Sequence, residues 1–431
     1  MIASLLAAFK IPDLKKRILF LFGMFVVYVI GLHISVPGVD TATLAKHFEG
    51  GGGLFDLFDA FTGGAFKKYT IFAMGIMPYI NASIIMQLLT IAIPQLEAMQ
   101  KEGAAGQKKI RLYTRWLTGV LALFQAYGVT SWLKAIQAVP GATGGLFDLR
   151  VLHIAIVLVA GTAFLMWMGE MISDKGIGNG VSVVIFAGIV AYLPSQIAGT
   201  IQLEGFTNKN WFGVAVLLIL FVLTIAFIIA ITQAQRKIPI QHVKRIVGNK
   251  MVGGQSSFLP LKINSAGVIP IIFAVSIQYF PMTIANIFTH GDQNHWFAKF
   301  ASDFAPGNSW WGSLIYAGMI IFFTYFYTAV TFNVKDVSDN LKKWGSFIPG
   351  IRPGKPTQDY LDKIMTRICL AGAVFLAIIA LMQYYVPSLT GITTFSLIGG
   401  TSLLIVVGVA LETMQAIESH LLMRHYEGFI K

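Results

Sequence analysis

Two carboxylates, Asp56 and Asp59, stand three residues apart in the apolar stretch GGGLFDLFDAFTGGAF, residues 51–66, which glycines fence at both ends. Paired aspartates, a Ser/His set or a metal-ligand set at membrane depth is what an intramembrane hydrolase needs. The eight histidines fall mostly in loops or near the ends of apolar runs, so that chemistry has little to work with. H-E-x-x-H, G-x-S-x-G and the phosphate-binding G-K-[ST] loop are all missing. KGIGNG, residues 175–180, carries its glycines on a short loop and reads as a tight turn between consecutive helices, not as a dinucleotide fingerprint. The sequence offers no catalytic constellation, no metal site, no cofactor motif and no motor for nucleotide hydrolysis.

The carboxylate segment is itself too short to cross a bilayer, which takes about 20 apolar residues. Leu54, Phe55, Leu57, Phe58 and Phe61 make an apolar face, with the two aspartates among them. Each Asp facing lipid at mid-depth would cost about 2.5–3.5 kcal/mol. A short helix in a wet cavity on the external side fits better, hinged at Gly50–Gly53 and Gly63–Gly64, because irregular backbone is tolerated at that depth only inside protein or beside water. A cavity blocked by a movable half-helix means a gated pore. An external amphipathic helix resting on the bilayer is the other reading.

The elements around it belong to a polytopic membrane protein. Hydrophobic residues make up 55% of the 431, and charged ones 12%; mean hydropathy is +0.69. Ten runs are long enough to span, near 18–36, 71–93, 113–133, 151–169, 181–199, 211–232, 265–289, 311–332, 364–386 and 397–417. With ten spans both termini share a side, and 25 of the 32 Lys and Arg fall on it against 7 on the other. The positive-inside bias therefore predicts both termini in the cytoplasm. No cleavable signal peptide is expected, and the single cysteine, Cys369, lies inside an apolar run, which rules out an intramolecular disulfide.

Two loops on the basic side exceed what topology requires. Residues 236–262 alternate β-branched and polar types around Gly-Asn and Gly-Gly, which predicts a protruding β-hairpin. Residues 340–363 read as a Pro/Gly turn region followed by a helix starting at Thr357, with Asp359 in its first turn. Contact with anionic lipid is one use of such basic loops; a docking platform is the other, and the exposed turns favour it. Within the spans the polar residues are mostly uncharged: Asn81, Gln87, Thr90, Gln125, Asn264, Ser276 and Gln278. Singly each is interhelical glue. Concentrated in the second, third and seventh spans, they suggest a seam polar enough to loosen.

GIMPYINASIIMQLLT, KEGAAGQKKI, DKGIGNGVSVVIFAGIVAYLP, PLKINSAGVIPIIFA, DNLKKWGSFIPGIRPG and GGTSLLIVVGV occur in order along the chain and closely resemble the bacterial SecY family, the channel subunit of the Sec protein translocase. The resemblance implies an all-α channel of ten transmembrane helices in two pseudo-twofold-related halves, residues 1–200 and 201–431. The second half would carry cytoplasmic loops near 233–263 and 333–363. It implies a constriction of Ile80, Ile84, Ile185, Ile189, Ile272 and Ile405, and a plug near 54–64 that contains the residues of the opening segment. It implies a lateral gate marked by Thr90, Gln125 and Asn264, through which signal peptides and nascent membrane helices leave sideways. Docking of the SecA ATPase or a translating ribosome is implied at Arg236, Lys237, Lys244, Arg245 and Arg352. The RIVGNK hairpin tip is less basic than the arginine-rich versions in the family, which bears on contact with rRNA phosphates.

The family context further implies a heterotrimer with SecE and SecG in the bacterial plasma membrane, with no enzymatic activity and no small-molecule substrate. A secondary transporter of a small solute is the alternative reading. It requires a charged or ion-coordinating site at mid-membrane depth, and the sequence offers none.

Overall fold

The computed structural model describes residues 9–48, 59, 62–141, 148–202, 211–242, 245–247, 250–252, 256–288, 295–390 and 399–427. The described residues pack as helices, with one three-stranded and one two-stranded sheet. In order they are α1 Pro12–Gly31, α2 Thr41–Phe48, α3 Met77–Ala92, α4 Pro94–Lys101, α5 Ala104–Ala135, α6 Leu149–Lys175, α7 Gly180–Thr200 and α8 Trp211–Gln233. Strands β1 Gln235–His242, β2 Arg245–Val247, β3 Lys250–Val252 and β4 Ser256–Lys262 follow. Then come α9 Ile269–Phe288, α10 Trp296–Phe304, α11 Trp310–Thr331, α12 Val334–Lys343, β5 Ser346–Phe347, α13 Lys355–Thr390 and α14 Gly400–Glu427.

Among the described residues six helical segments are long and apolar enough to cross a membrane, in α6, α7, α8, α11, α13 and α14. Counting the bent pair α3–α4 as one span makes seven. The bend, 100°, falls at Ile93, whose ψ of 113° is extended because Pro94 disfavours helical backbone at the residue before it. Helices α1, α5 and α9 pack in the same bundle. Within the first part of the chain α5 lies on α3 and α6, α6 on α7, and α1 on both α6 and α7. In the second part α11 lies between α9 and α13, and α14 against α8 and α13. The two parts meet where α9 contacts α3 and α5, and where α14 contacts α7.

Several boundaries differ from the hydropathy reading. The run expected over 71–93 is helical only from Met77, because Gly63, Gly64 and Gly75 hold positive φ and turns fill the interval. Apolar content made residues 71–76 look helical, yet they are buried irregular backbone, with Phe72, Ala73 and Met74 all at or below 2% exposure. The first helix ends at Gly31 and not near residue 36, and α9 begins at Ile269 after Gly267, at φ +66°. α12 and the short α2 and α10 are helices that the span reading passed over. The turn expected from KGIGNG is present: α6 ends at Lys175, α7 starts at Gly180, and Asn179 caps it by accepting from Val181 N–H at 3.1 Å.

The irregular segment is mostly buried. Its backbone pairs with the stretch that follows α1, Val36 N to Tyr69 O at 2.9 Å and Ile71 N to Ile34 O at 3.0 Å. At Gly161 on α6 a Cβ would sit 1.8 Å from Ile71 O, so only glycine permits this approach. Gly161→Ala is expected to cost at least the 1–3 kcal/mol typical of overpacking. Gly23→Ala on α1, where a Cβ meets nothing within 4 Å, is the matched control and leaves stability unchanged or slightly higher. Thermal unfolding of both variants in detergent checks this, and equal midpoints for the two would contradict the close approach.

Candidate functional site

Six isoleucines from four helices converge in one buried apolar cluster. Ile80 and Ile84 are four residues apart on α3, and Ile185 and Ile189 four apart on α7, so each pair presents a single helix face. Ile272 enters from the first turns of α9 and Ile405 from α14. Ile80, Ile84, Ile185, Ile189 and Ile405 are 6%, 3%, 6%, 3% and 1% exposed, and Ile272 is half-buried against the same cluster. No side chain of the six can donate or accept a hydrogen bond, so none of them offers a polar group to hold water or a peptide. Apolar surface sheds water, the property by which a narrow apolar constriction resists ions.

Of the opening segment only Asp59 falls within the described residues; Leu54, Phe55, Asp56, Leu57, Phe58 and Phe61 lie outside them. Asp59 is fully buried, so for this carboxylate the expected wet cavity gives way to backbone capping. Its Oδ1 accepts from Lys67 N–H at 2.8 Å, and its carbonyl accepts from Gly64 N–H at 2.9 Å. Gly63 and Gly64, expected as a hinge, hold φ of +73° and +81°. Between them they bring the chain against α7: a Cβ on Gly63 would sit 2.8 Å from Gly188 O, and one on Gly64 2.9 Å from the Tyr192 ring. Gly188 is the immediate neighbour of Ile189, so the end of this segment lies beside one of the six isoleucines. Tyr28 Oη on α1 donates to Thr62 O at 3.2 Å, fixing the other side.

The polar residues expected to mark a seam divide into two groups. Thr90 and Gln125 are buried on α3 and α5, two of the elements through which the two parts of the chain meet, and Asn264 is buried in the turn between β4 and α9, beside Gly372 of α13. Thr90 spends its hydroxyl on its own helix, donating to Met86 O at 2.6 Å. Asn264 Oδ1, Gln87 Oε1 and Ser276 Oγ are buried with no hydrogen-bond partner among the described residues. Gln278 belongs elsewhere. Its Nε2 donates to Phe304 O at 2.5 Å and Gly312 O at 2.9 Å, bolting α9 to the end of α10 and the start of α11. Sequence reasoning placed it in the seam because spacing along α9 does not reveal which carbonyls its amide reaches.

The two basic loops are a single structure. β1 pairs antiparallel with β4 from Gln235↔Lys262 to Gln241↔Ser256, the expected hairpin. The two-residue strand β5, from the second loop, adds to the free edge of β1, and Ser346 Oγ lies 2.8 Å from His242 Nδ1. Beneath the sheet Ile238, Ile240, Leu261, Leu341, Ile348, Leu361 and Ile364 form a separate apolar core that takes in α12 and the first turns of α13. Arg236, Lys237 and Arg352 are exposed, and Thr357 holds the Arg352 turn by donating to its carbonyl at 2.8 Å. Arg245 lies on β2, and Lys244 lies outside the described residues. Neither α12 nor the β5 pairing was expected. α12 was legible in its caps, with Asn333 at the N-cap, Asp336 in the first turn and Lys342 and Lys343 in the last.

Residues 70–414 match the family model described as SecY. The protein translocase subunit SecY of Streptomyces scabiei is 42% identical over 440 residues, and that of Corynebacterium glutamicum 41% identical over 449; each alignment covers 100% of both chains. Among solved structures, a protein-conducting channel superposes with a TM-score of 0.64 at 19% identity, covering 96% of each chain. Sec61 from a canine ribosome–channel complex of the endoplasmic reticulum superposes with a TM-score of 0.61 at 16% identity, also covering 96% of each. At those identities the two structures speak to the fold.

The hydrogen bonding of α9 sets opposite expectations for two neighbouring residues. Ser276→Ala removes an unpaired buried hydroxyl and is expected to stabilise the protein, by up to about 1–3 kcal/mol. Gln278→Leu strips two carbonyls of their donor and is expected to destabilise it by about 0.6–1.7 kcal/mol. Thermal unfolding in detergent measures both, and a loss of stability in Ser276→Ala would show that its hydroxyl is engaged.

Proposed function

The chain belongs to the SecY family, and from that premise we propose that it is a protein-conducting channel. It passes unfolded secretory polypeptides across the membrane and releases membrane segments sideways into the bilayer. The observation that carries the reading is the collar: six isoleucines, drawn from α3, α7, α9 and α14, in one buried apolar cluster. An apolar ring closes around many kinds of side chain and offers a moving peptide no fixed hydrogen bond. A small-solute transporter needs the opposite, a polar or charged site at mid-depth, and the relatives do not favour it.

The finer reading follows the same geometry. Ten spans, α1, α3, α5, α6, α7, α8, α9, α11, α13 and α14, form two halves, α1–α7 and α8–α14. The segment around 54–64 plugs the external funnel, supported by the approach of Gly63 to Gly188 beside the ring. The α9 contact with α3 and α5 is the lateral gate, lined by Thr90, Gln125 and Asn264. Exit through it needs only partitioning, at about −0.3 to −0.6 kcal/mol for each Leu, Ile, Phe or Val of the departing helix.

The push comes from partners. The β1–β4 sheet, with Arg236, Lys237, Lys244, Arg245 and Arg352, is the cytoplasmic dock for SecA or a ribosome, and SecE and SecG complete a heterotrimer in the bacterial plasma membrane. Two structural neighbours, canine Sec61 and yeast Ssh1, are ribosome complexes, which supports the ribosomal part of this assignment. The channel itself carries out no reaction.

The direct test is site-specific photocrosslinking from positions 80 and 272 in membranes engaged with a stalled secretory precursor. Adducts at both positions, lost when the signal sequence is deleted, are expected. Their absence with the precursor demonstrably engaged would remove the isoleucines from the path and restore the transporter reading. In proteoliposomes, Ile80→Asn combined with Ile272→Asn is expected to let water into the collar and raise ion leak well above that of the unsubstituted protein. Unchanged leak would mean that the seal lies elsewhere.

A further inference from the structure

Helix α10, Trp296–Phe304, sits between α9 and α11 at the end of the bundle opposite the sheet, since the hairpin joins α8 to α9 and α10 joins α9 to α11. Its nine residues divide into three faces, because successive positions turn by about 100°. Ala298 and Ala301, at 8% and 0% exposure, make the buried face. Lys299 and Asp303, both exposed, share the polar one. Trp296, Phe300 and Phe304 lie together on the third, with Trp296 73% and Phe300 50% exposed. A helix covered on one face and solvated on another has no use for exposed aromatic rings on a third unless a further environment meets it.

We propose that this environment is the lipid headgroup region, and that α10 is an interfacial helix whose aromatic face enters the outer edge of the bilayer. The aromatic face is continuous with the lipid-facing surface of α11. Phe300 and Phe304 each contact Trp311, at ring centroid distances of 6.3 and 6.4 Å. From there the exposed row Trp310, Leu314 and Phe322 runs down α11. Tryptophan and other amphipathic rings concentrate at this level of a membrane, and a short helix with Lys and Asp on the water side lies flat there.

The anchor acts on α9 through Gln278, whose amide holds the carbonyls of Phe304 and Gly312. The depth of α10 in the interface therefore fixes the depth of the outer part of the helix that closes the seam. This assignment depends only on α9 and α11 spanning the membrane and is independent of what the channel conducts.

The test uses the full heterotrimer in vesicles of phosphatidylethanolamine and phosphatidylglycerol. Cys369→Ala removes the single native thiol, and Trp296→Cys, Lys299→Cys, Phe300→Cys and Asp303→Cys are spin-labelled one at a time. Positions 296 and 300 are expected to be relaxed more by oxygen, which concentrates in lipid, than by a water-soluble nickel chelate. The order is expected to reverse at 299 and 303. Equal nickel accessibility at all four would place the helix in water and overturn the proposal. Protection of 296 and 300 from both reagents would assign the face to a protein neighbour, and would overturn it equally. All four positions are exposed, and native gel migration of each labelled complex identifies any variant that has failed to assemble.

Discussion

A backbone polar group buried without a partner costs more inside a membrane than almost any side-chain choice can recover, and this constraint decides where the chain can be irregular and where it can open. Residues 62–76 are the severe case: turns and bends at the heart of a membrane protein. They are tolerated because α1, α6 and α7 enclose them and because their amides and carbonyls find Ile34, Val36, Tyr28 and Asp59. The glycine at 161 is part of the same solution, since it lets α6 cover Ile71 directly. The burial of Asp59 follows too, as a carboxylate placed to accept a backbone N–H that no helix could satisfy.

The buried polar groups on and around α9 are met unevenly. Gln87 on α3, Asn264 just before α9 and Ser276 on α9 each bury an oxygen that pairs with nothing among the described residues, and so do Gln278 through its Oε1 and Tyr316 of α11 through its hydroxyl. The amide nitrogen of Gln278, two residues from Ser276, pairs twice and ties α9 to α10 and α11. An unmet buried oxygen is repaid by wetting, because water supplies the hydrogen bond that burial took away.

Much of this was legible in the sequence, and the failures have physical causes. Each of the longer helices among the described residues overlaps a run that hydropathy picked out, because a long apolar stretch is what hydropathy detects. It misplaced the start of α3 because buried irregular backbone is as apolar as a span, and the positive φ of Gly63, Gly64, Tyr69 and Gly75 marks the difference. The hairpin was readable from its turn residues, whereas a strand of two residues leaves no periodicity, so the joining of the loops through β5 was invisible. The isoleucines were unremarkable singly. Motif context singled them out, and the fold brings them together from helices more than 300 residues apart in sequence, Ile80 to Ile405. Gln278 was read as part of the seam because a sequence fixes which residues share a helix but not which carbonyls they reach.

Joining the two loops has a mechanical consequence. α13 runs for 36 residues, about 54 Å at 1.5 Å per residue, against a hydrocarbon layer of about 30 Å. Its first turns, with Leu361, Ile364 and Met365, are packed into the core under the sheet, and Leu376, Ile379 and Ala380 further along are packed into the main cluster that includes the six isoleucines. One continuous helix thus belongs to both cores. A load on β1 or β4 cannot be absorbed by a floppy loop, because β5, α12 and the head of α13 share the same apolar packing. It passes into α13, and from there into α11, which lies along α13 and carries α9. α9 in turn contacts α3 and α5, so the sheet and the first part of the chain are joined through an unbroken series of packed helices.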